Sequence, residues 1–235
     1  MQVLVEDENC LVTADMSRIA EAEKVIVSFT GVGHGMGGID VQQVEFAGSA
    51  SRHGVLVSVI DRKRSWGNGL DLPGIVARIT ALAAGRPILT LGNSMGGFLA
   101  ILFSTPLNAE RCVAIAAQYS VSPAVLPDER RWRSYRRAIT VWQHPSLDGA
   151  FNPHTLYTTL NGGFPQDRRH WRRFPDLENA RHYVLKGVKH NVAPHLKDKG
   201  QLSAVLDHAL AGPWNEDLIS GGYLSVPARR HLARA

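Results

Sequence analysis

The stretch Leu89-Thr90-Leu91-Gly92-Asn93-Ser94-Met95-Gly96-Gly97-Phe98-Leu99-Ala100 constrains the fold of this chain more than any other. An apolar, β-rich run ends in Gly-x-Ser-x-Gly and passes directly into an Ala/Leu-rich helical pattern. Strand, sharp turn and helix in that order are what a nucleophile elbow requires. The serine sits at the tip of a strained turn, so its hydroxyl projects into a site and away from the sheet. Gly92 and Gly96 leave room where the strand and helix backbones converge. The N–H of Met95, at the N-terminus of the helix, then points toward a developing oxyanion. A Gly-rich turn carrying an ordinary serine is the alternative. The strand before and the helix after favour Ser94 as a nucleophile.

The rest of the chain alternates between strand and helix signals. Residues 3–5 and 10–13 read as short strands around a polar turn, an opening hairpin. Residues 24–29 form a β-branched, apolar run that stops at the loop Thr30-Gly31-Val32-Gly33-His34-Gly35-Met36-Gly37-Gly38. A helix is expected over 41–53, a buried strand over 55–60 and a helix over 71–84, with Pro73 tolerated in its first turn. The elbow strand covers 87–91 and its helix 95–104. Further strands are expected over 111–117, 155–160 and 182–185, a helix over 168–173 and a long helix over 196–210. Such alternation indicates a single α/β domain over 1–235 with a largely parallel sheet covered on both faces. Residues 118–153 differ: they are polar, basic and punctuated by proline.

Composition narrows the class. A chain of 235 residues, 44% of them hydrophobic, is long enough for one sizeable core. Its net charge of +5 favours anionic partners, but charge without a motif does not make a nucleic-acid binder. The two cysteines, Cys10 in a polar turn and Cys112 in a buried strand, offer no disulfide framework, which suits a reducing compartment. No signal peptide is recognisable, and no apolar run is long enough to span a bilayer. The expectation is a soluble, cytoplasmic protein with no membrane partner; its oligomeric state is left open.

A serine nucleophile needs a base, an acid to orient the base, and an oxyanion hole. Behind a Gly-x-Ser-x-Gly elbow the chain order is serine, acid, histidine. The histidine belongs in the loop after the last strand, which makes His190 the first choice, with His195 and then His182 behind it. The acid belongs after the penultimate strand. Asp167 is the first carboxylate in that loop; Asp148 and Asp176 are the alternatives. Asp167 also fits a helix N-cap. The second oxyanion amide belongs to the loop after 24–29, with Val32 first and Gly33 next.

That glycine-rich loop also carries Gly-x-Gly spacing, and Asp61 closes the following strand, as a dinucleotide fingerprint would require. The elbow downstream decides against that reading. No Gly-Lys-Ser/Thr is present for a P-loop, and no His/Cys cluster has zinc spacing. No cofactor and no metal are expected.

Taken together, these residues resemble the α/β-hydrolase superfamily over about residues 24–210. The resemblance implies an α/β-hydrolase fold: a mostly parallel sheet of about seven to eight strands with helices on both faces and a small lid. It implies a triad of Ser94, Asp167 and His190, with Met95 and Val32 as the oxyanion amides. The string Gly-Asn-Ser-Met-Gly-Gly is also similar to that of the meta-cleavage product hydrolases, which break carbon–carbon bonds. The chain departs from them in lacking Gly-His-Trp around the base and a recognisable Gly-x-x-Asp acid loop.

Residues 118–153 fall where this superfamily inserts its lid. They contain Asp128-Glu129-Arg130-Arg131-Trp132-Arg133-Ser134-Tyr135-Arg136-Arg137, and a second basic run, Arg168-Arg169-His170-Trp171-Arg172-Arg173, follows Asp167. If they flank the site, they would receive a phosphate, a carboxylated sugar or the phosphopantetheine end of an acyl carrier. Solvated helix faces are the alternative. Arg133 and Arg137 are the candidate substrate-binding arginines, and at least one of Arg130, Arg131, Arg133, Arg136 and Arg137 is expected to face the pocket. Trp66 is a candidate pocket wall or a cap on the sheet edge. The reading is a serine hydrolase (an esterase or thioesterase) acting on a small-molecule or carrier-linked acyl substrate. Acyl transfer to another acceptor and a catalytically silent scaffold are the rivals.

Overall fold

The computed structural model describes residues 1–33 and 41–213 and the backbone of a strand at Tyr223–Val226. The opening hairpin pairs β1 (Gln2–Glu6) with β2 (Cys10–Ala14) antiparallel. Its turn is organised by Asp7, whose Oδ1 accepts the N–H groups of Asn9 and Cys10, each at 2.7 Å. Cys10 opens the strand expected over 10–13, and its side chain is buried rather than set in a polar turn. Both cysteines are free, and burial pushes each thiol up to about 12.

The central strands are β3 (Val25–Phe29), β4 (Val55–Asp61), β5 (Ile88–Asn93), β6 (Arg111–Ile115), β7 (Leu156–Gly162) and β8 (Ala180–Leu185). All six run parallel, and β2 and β9 (Tyr223–Val226) flank them antiparallel. The sheet has nine strands in the order β1-β2-β4-β3-β5-β6-β7-β8-β9. The chain leaves β3 toward β4 on one side and returns to β5 on the other. The sheet therefore switches direction between β3 and β5, where open α/β sheets place a crevice at the carboxyl ends of the strands.

Strand periodicity splits the core into two faces. Val25, Val27 and Phe29 pack on one face with α2 (Leu72–Ala83) and α3 (Met95–Ser104). Ile26, Leu89 and Leu91 pack on the other with α6 (Val192–Asp198) and α7 (Leu202–Ala211). Asp71 caps α2 by accepting the Gly74 N–H at 3.1 Å, and Pro73 occupies its first turn, as anticipated.

Three helices depart from expectation. The helix expected over 41–53 shrinks to α1 (Ala47–Ala50). Gln42 and Glu45 spend their side chains on the loop after β3, and Phe46 takes a left-handed φ of 61°. The helix expected over 196–210 is two helices, because Gly200 adopts a φ of 68° and ends α6. The helix expected over 168–173 begins earlier, as α5 (Pro165–Trp171), with Pro165 in its first turn. Residues 118–153 connect β6 to β7 and contain α4 (Arg133–Ala138). Among the described residues no helix is long and apolar enough to cross a membrane.

Candidate active site

Ser94 occupies the elbow between β5 and α3 with φ 57° and ψ −116°. A side-chain-bearing residue adopts that left-handed φ only when its surroundings enforce it. Here the Ser94 N–H donates to Ile115 O at 2.8 Å, and the Phe98 N–H donates to Ser94 O at 3.1 Å. The flanking glycines are steric necessities. A Cβ on Gly92 would overlap the Gly96 carbonyl, and a Cβ on Gly96 would overlap Phe29 O at the end of β3. The strand-turn-helix thus closes tightly enough to lift the serine hydroxyl above the sheet edge.

His190 lies between β8 and α6, and its Nε2 accepts the Ser94 hydroxyl at 2.8 Å. Its Nδ1 lies 2.8 Å from Asp167 Oδ1. Asp167 stands in the first turn of α5, where the N-cap is Phe164, so it does not cap the helix. Burial pushes its carboxyl up, but hydrogen bonds and charge from His190 and Arg131 outweigh this and hold it below the usual carboxylate range. An ionised carboxylate only accepts, so Nδ1 carries the imidazole proton and Nε2 presents the lone pair to the serine. A serine hydroxyl, a correctly tautomerised base and a buried orienting carboxylate thereby form one chain.

The other candidates lie elsewhere. His195 sits on α6 and takes no part in these hydrogen bonds. His182 is buried in β8, 2.9 Å from Thr159 Oγ1 and 3.0 Å from Pro175 O, and burial pushes its imidazole down to about 4. Asp148 is exposed, and Asp176 lies beyond α5.

Met95 is the first residue of α3, so its N–H has no intrahelical partner. Val32 is buried in the loop after β3, and among the described residues its N–H meets no acceptor. The preceding peptide is clamped on both sides. The Gly31 N–H donates to Glu45 Oε1 at 2.9 Å, and Gln42 Nε2 donates to Gly31 O at 3.2 Å. Gly33 follows with a φ of 104°. His34, Gly35, Met36, Gly37 and Gly38, the remainder of the glycine-rich loop, lie outside the described residues. Asp61 is fully buried, and its Oδ2 accepts from Ser65 N, Ser65 Oγ and Gly67 N at 2.9, 2.9 and 3.1 Å. The acid of the would-be dinucleotide fingerprint is thus occupied in holding its own turn.

One substrate-binding expectation needs revision. Trp66 is a core residue with no solvent-accessible surface, and its Nε1 donates to Gln118 Oε1 at 2.9 Å; it caps the sheet edge and forms no open pocket wall. Arg133 and Arg137 are exposed on α4, and Arg130 is exposed before it. Arg136 is buried, with its guanidinium given to Val121 O at 2.6 Å and to Glu129 O. The arginine that reaches the site is Arg131, whose Nη1 donates to Asp167 Oδ1 at 2.9 Å. Neither Arg131 in that role nor the Gln42–Glu45 clamp carried a sequence signal of its own. Each depends on a tertiary contact.

Solved structures share this architecture. An α/β-hydrolase enzyme from a Medee basin deep-sea metagenome matches with a TM-score of 0.60 and 12% identity, covering 92% of this chain and 99% of that one. The capsule O-acetyltransferase of Neisseria meningitidis serogroup A matches with a TM-score of 0.59 and 12% identity, over 86% and 93% of the two chains. An α/β serine hydrolase without lid from Xanthomonas campestris matches with a TM-score of 0.50 and 12% identity, over 86% and 87%. No family model and no curated protein matches the chain. The chain has the α/β-hydrolase fold.

Proposed function

We propose that this protein is a serine hydrolase that cleaves a carboxylic ester or thioester through an acyl-enzyme. The observation that carries the reading is the unbroken chain from Ser94 Oγ through His190 to Asp167, at 2.8 and 2.8 Å, on the carboxyl edge of the sheet. In this reading His190 Nε2 takes the Ser94 proton as Oγ attacks the acyl carbonyl. The Met95 and Val32 N–H groups receive the oxyanion. The imidazolium returns the proton to the leaving oxygen or sulfur as the carbon–heteroatom bond breaks. A water, deprotonated by the same nitrogen, then releases the acid.

Acyl transfer to an acceptor hydroxyl is the second reading, supported by the shared fold of the capsule O-acetyltransferase. It uses the same acyl-enzyme and replaces water by the acceptor. A silent scaffold would have no need for the strained φ of Ser94 or for an aligned imidazole. Residues 118–153 are proposed as a lid-like insertion that bears on an anionic, small-molecule or carrier-linked acyl substrate. The free thiols accord with a reducing, cytoplasmic setting.

The test is intact-protein mass after reaction with a fluorophosphonate, followed by ester and thioester panels of varied chain length. A single adduct on Ser94 together with turnover supports the reading. An adduct elsewhere overturns it. Product partitioning in the presence of an added alcohol separates transfer from hydrolysis.

A further inference from the structure

Asp167 is held unusually for a buried carboxylate. Its Oδ1 lies 2.8 Å from His190 Nδ1 and also accepts Arg131 Nη1 at 2.9 Å. Its Oδ2 is buried and has no hydrogen-bond partner among the described residues. Both donors therefore converge on one oxygen, and without Arg131 the carboxylate would be oriented by His190 alone.

Arg131 is itself locked. Its Nε and Nη2 donate to Glu129 Oε1 and Oε2 at 3.0 and 2.7 Å, a two-pronged pairing that fixes the guanidinium plane. Nη2 also donates to Gln166 O at 3.2 Å and lies 2.9 Å from His170 Nε2, with which it shares Glu129 Oε2. Glu129 is braced in turn by His170, one helical turn beyond Asp167 on α5. His170 Nδ1 accepts the Tyr119 N–H at 3.2 Å, so its Nε2 carries the proton and donates to Glu129 Oε2 at 2.7 Å. Burial holds the His170 imidazole down, in its neutral form. Burial pushes the Glu129 carboxyl up, but its bonds from His170 and Arg131 outweigh this and keep it ionised. One cation thus lies between two carboxylates, Glu129 and Asp167, with side chains 2% and 5% exposed.

We propose that Arg131 is a positioning residue for the triad: it fixes the Asp167 carboxylate toward His190 and sets the charge that His190 senses. The proposal rests on the serine-hydrolase reading for its kinetic consequence, and on geometry alone for the Arg131–Asp167–His190 link. The two effects have opposite signs. Orientation helps catalysis. The positive charge beside the carboxylate disfavours an imidazolium at His190. The titratable and charged groups packed about this carboxylate are His190 after β8, Arg131 and Glu129 from the β6–β7 connection, and His170 from α5.

The test compares wild type, Arg131→Lys and the double variant Glu129→Gln/Arg131→Gln, which removes both charges together and leaves neither buried and unpaired. Three quantities are read: the pH profile of fluorophosphonate labelling at Ser94, the kcat for p-nitrophenyl acetate, and the far-downfield NMR proton of His190 Nδ1. Arg131→Lys keeps the charge but loses the fork, so kcat falls about 10- to 100-fold while the acid limb stays in place. The double variant moves the acid limb of the labelling profile upward, because the nearer, positive charge is lost. Both variants shift or broaden the Nδ1 proton. Lower melting temperatures with unchanged labelling profile, kcat and Nδ1 proton would reduce Arg131 to a structural role and overturn the proposal. Wild-type protein that leaves Ser94 unlabelled would defeat the hydrolase reading instead. The Nδ1 proton would still decide the link to Arg131.

Discussion

Glu45 accepts the Gly31 N–H at 2.9 Å through Oε1, so a carboxyl from beyond the glycine-rich loop fixes the peptide that leads into Val32. Burial raises that carboxyl to about 7, with the Gly31 N–H offsetting part of the rise. The folded chain therefore keeps a proton on Glu45 at pH values where the unfolded chain has lost it. Stability falls as pH climbs from about 4.5 to 7, and the penalty is complete above that window. Glu45→Gln keeps an oxygen for Gly31 and removes the titration. Denaturant unfolding should show the Gln variant gaining on wild type across that window, by roughly 1–3 kcal/mol at pH 8. An equal difference at pH 4 and pH 8 would contradict the assignment.

Ser94 combines a left-handed φ, a helix N-terminus and an imidazole at 2.8 Å. Ser94→Ala should lose about four to six orders of magnitude in kcat and still fold, since only one oxygen is removed. Circular dichroism and a melting curve check the fold, and the fluorophosphonate adduct should vanish. Retained activity would place the nucleophile elsewhere.

Sequence patterns record local structure well, and the elbow is local: strand, turn and helix are contiguous, and Gly92 and Gly96 are required by backbones that meet within it. The place of Asp167 and His190 beside Ser94 was readable because the order of elements in a parallel sheet fixes which loops share its carboxyl edge. Arg131 was not, because its bond to Asp167 spans 36 residues and depends on how the β6–β7 connection folds back on α5. Residues 41–46 illustrate the same limit: their composition suits a helix, but the side chains of Gln42 and Glu45 are drawn to Gly31. Trp66 stands at the carboxyl end of a strand, where the sequence suggests a pocket wall and leaves a sheet-edge cap as the alternative. Its bond to Gln118 is what made it a cap.

Asp167 sets which nitrogen of His190 carries the proton. In Asp167→Asn the charge is gone and the amide has an N–H that can face Nδ1, which places the proton on Nε2 and blocks acceptance from Ser94. The variant should lose roughly two to four orders of magnitude in kcat at neutral pH. Because only the neutral imidazole takes the serine proton, wild-type activity should be lost on acidification. An activity profile flat from pH 5 to 9 would argue that another group serves as the base.

Arg133 and Arg137 are exposed on α4 and make no hydrogen bond to the Ser94–His190–Asp167 chain, so their expected influence on a substrate is through the field they cast. Exposed charges are screened beyond a length of about 8 Å at physiological salt. Arg133→Ala/Arg137→Ala should therefore raise the KM for an anionic ester by only a few fold at low ionic strength, with kcat unchanged. The difference should disappear at about 0.5 M salt, and a neutral ester of similar size should be unaffected at any salt. Replacement by lysine should retain the effect, because a field needs the charge and not the planar fork. Salt-independent loss on the anionic ester, with lysine failing to substitute, would mean that α4 closes over bound substrate and that the two guanidinium groups contact it directly. Equal losses on both esters would remove any anionic preference from the account of this site.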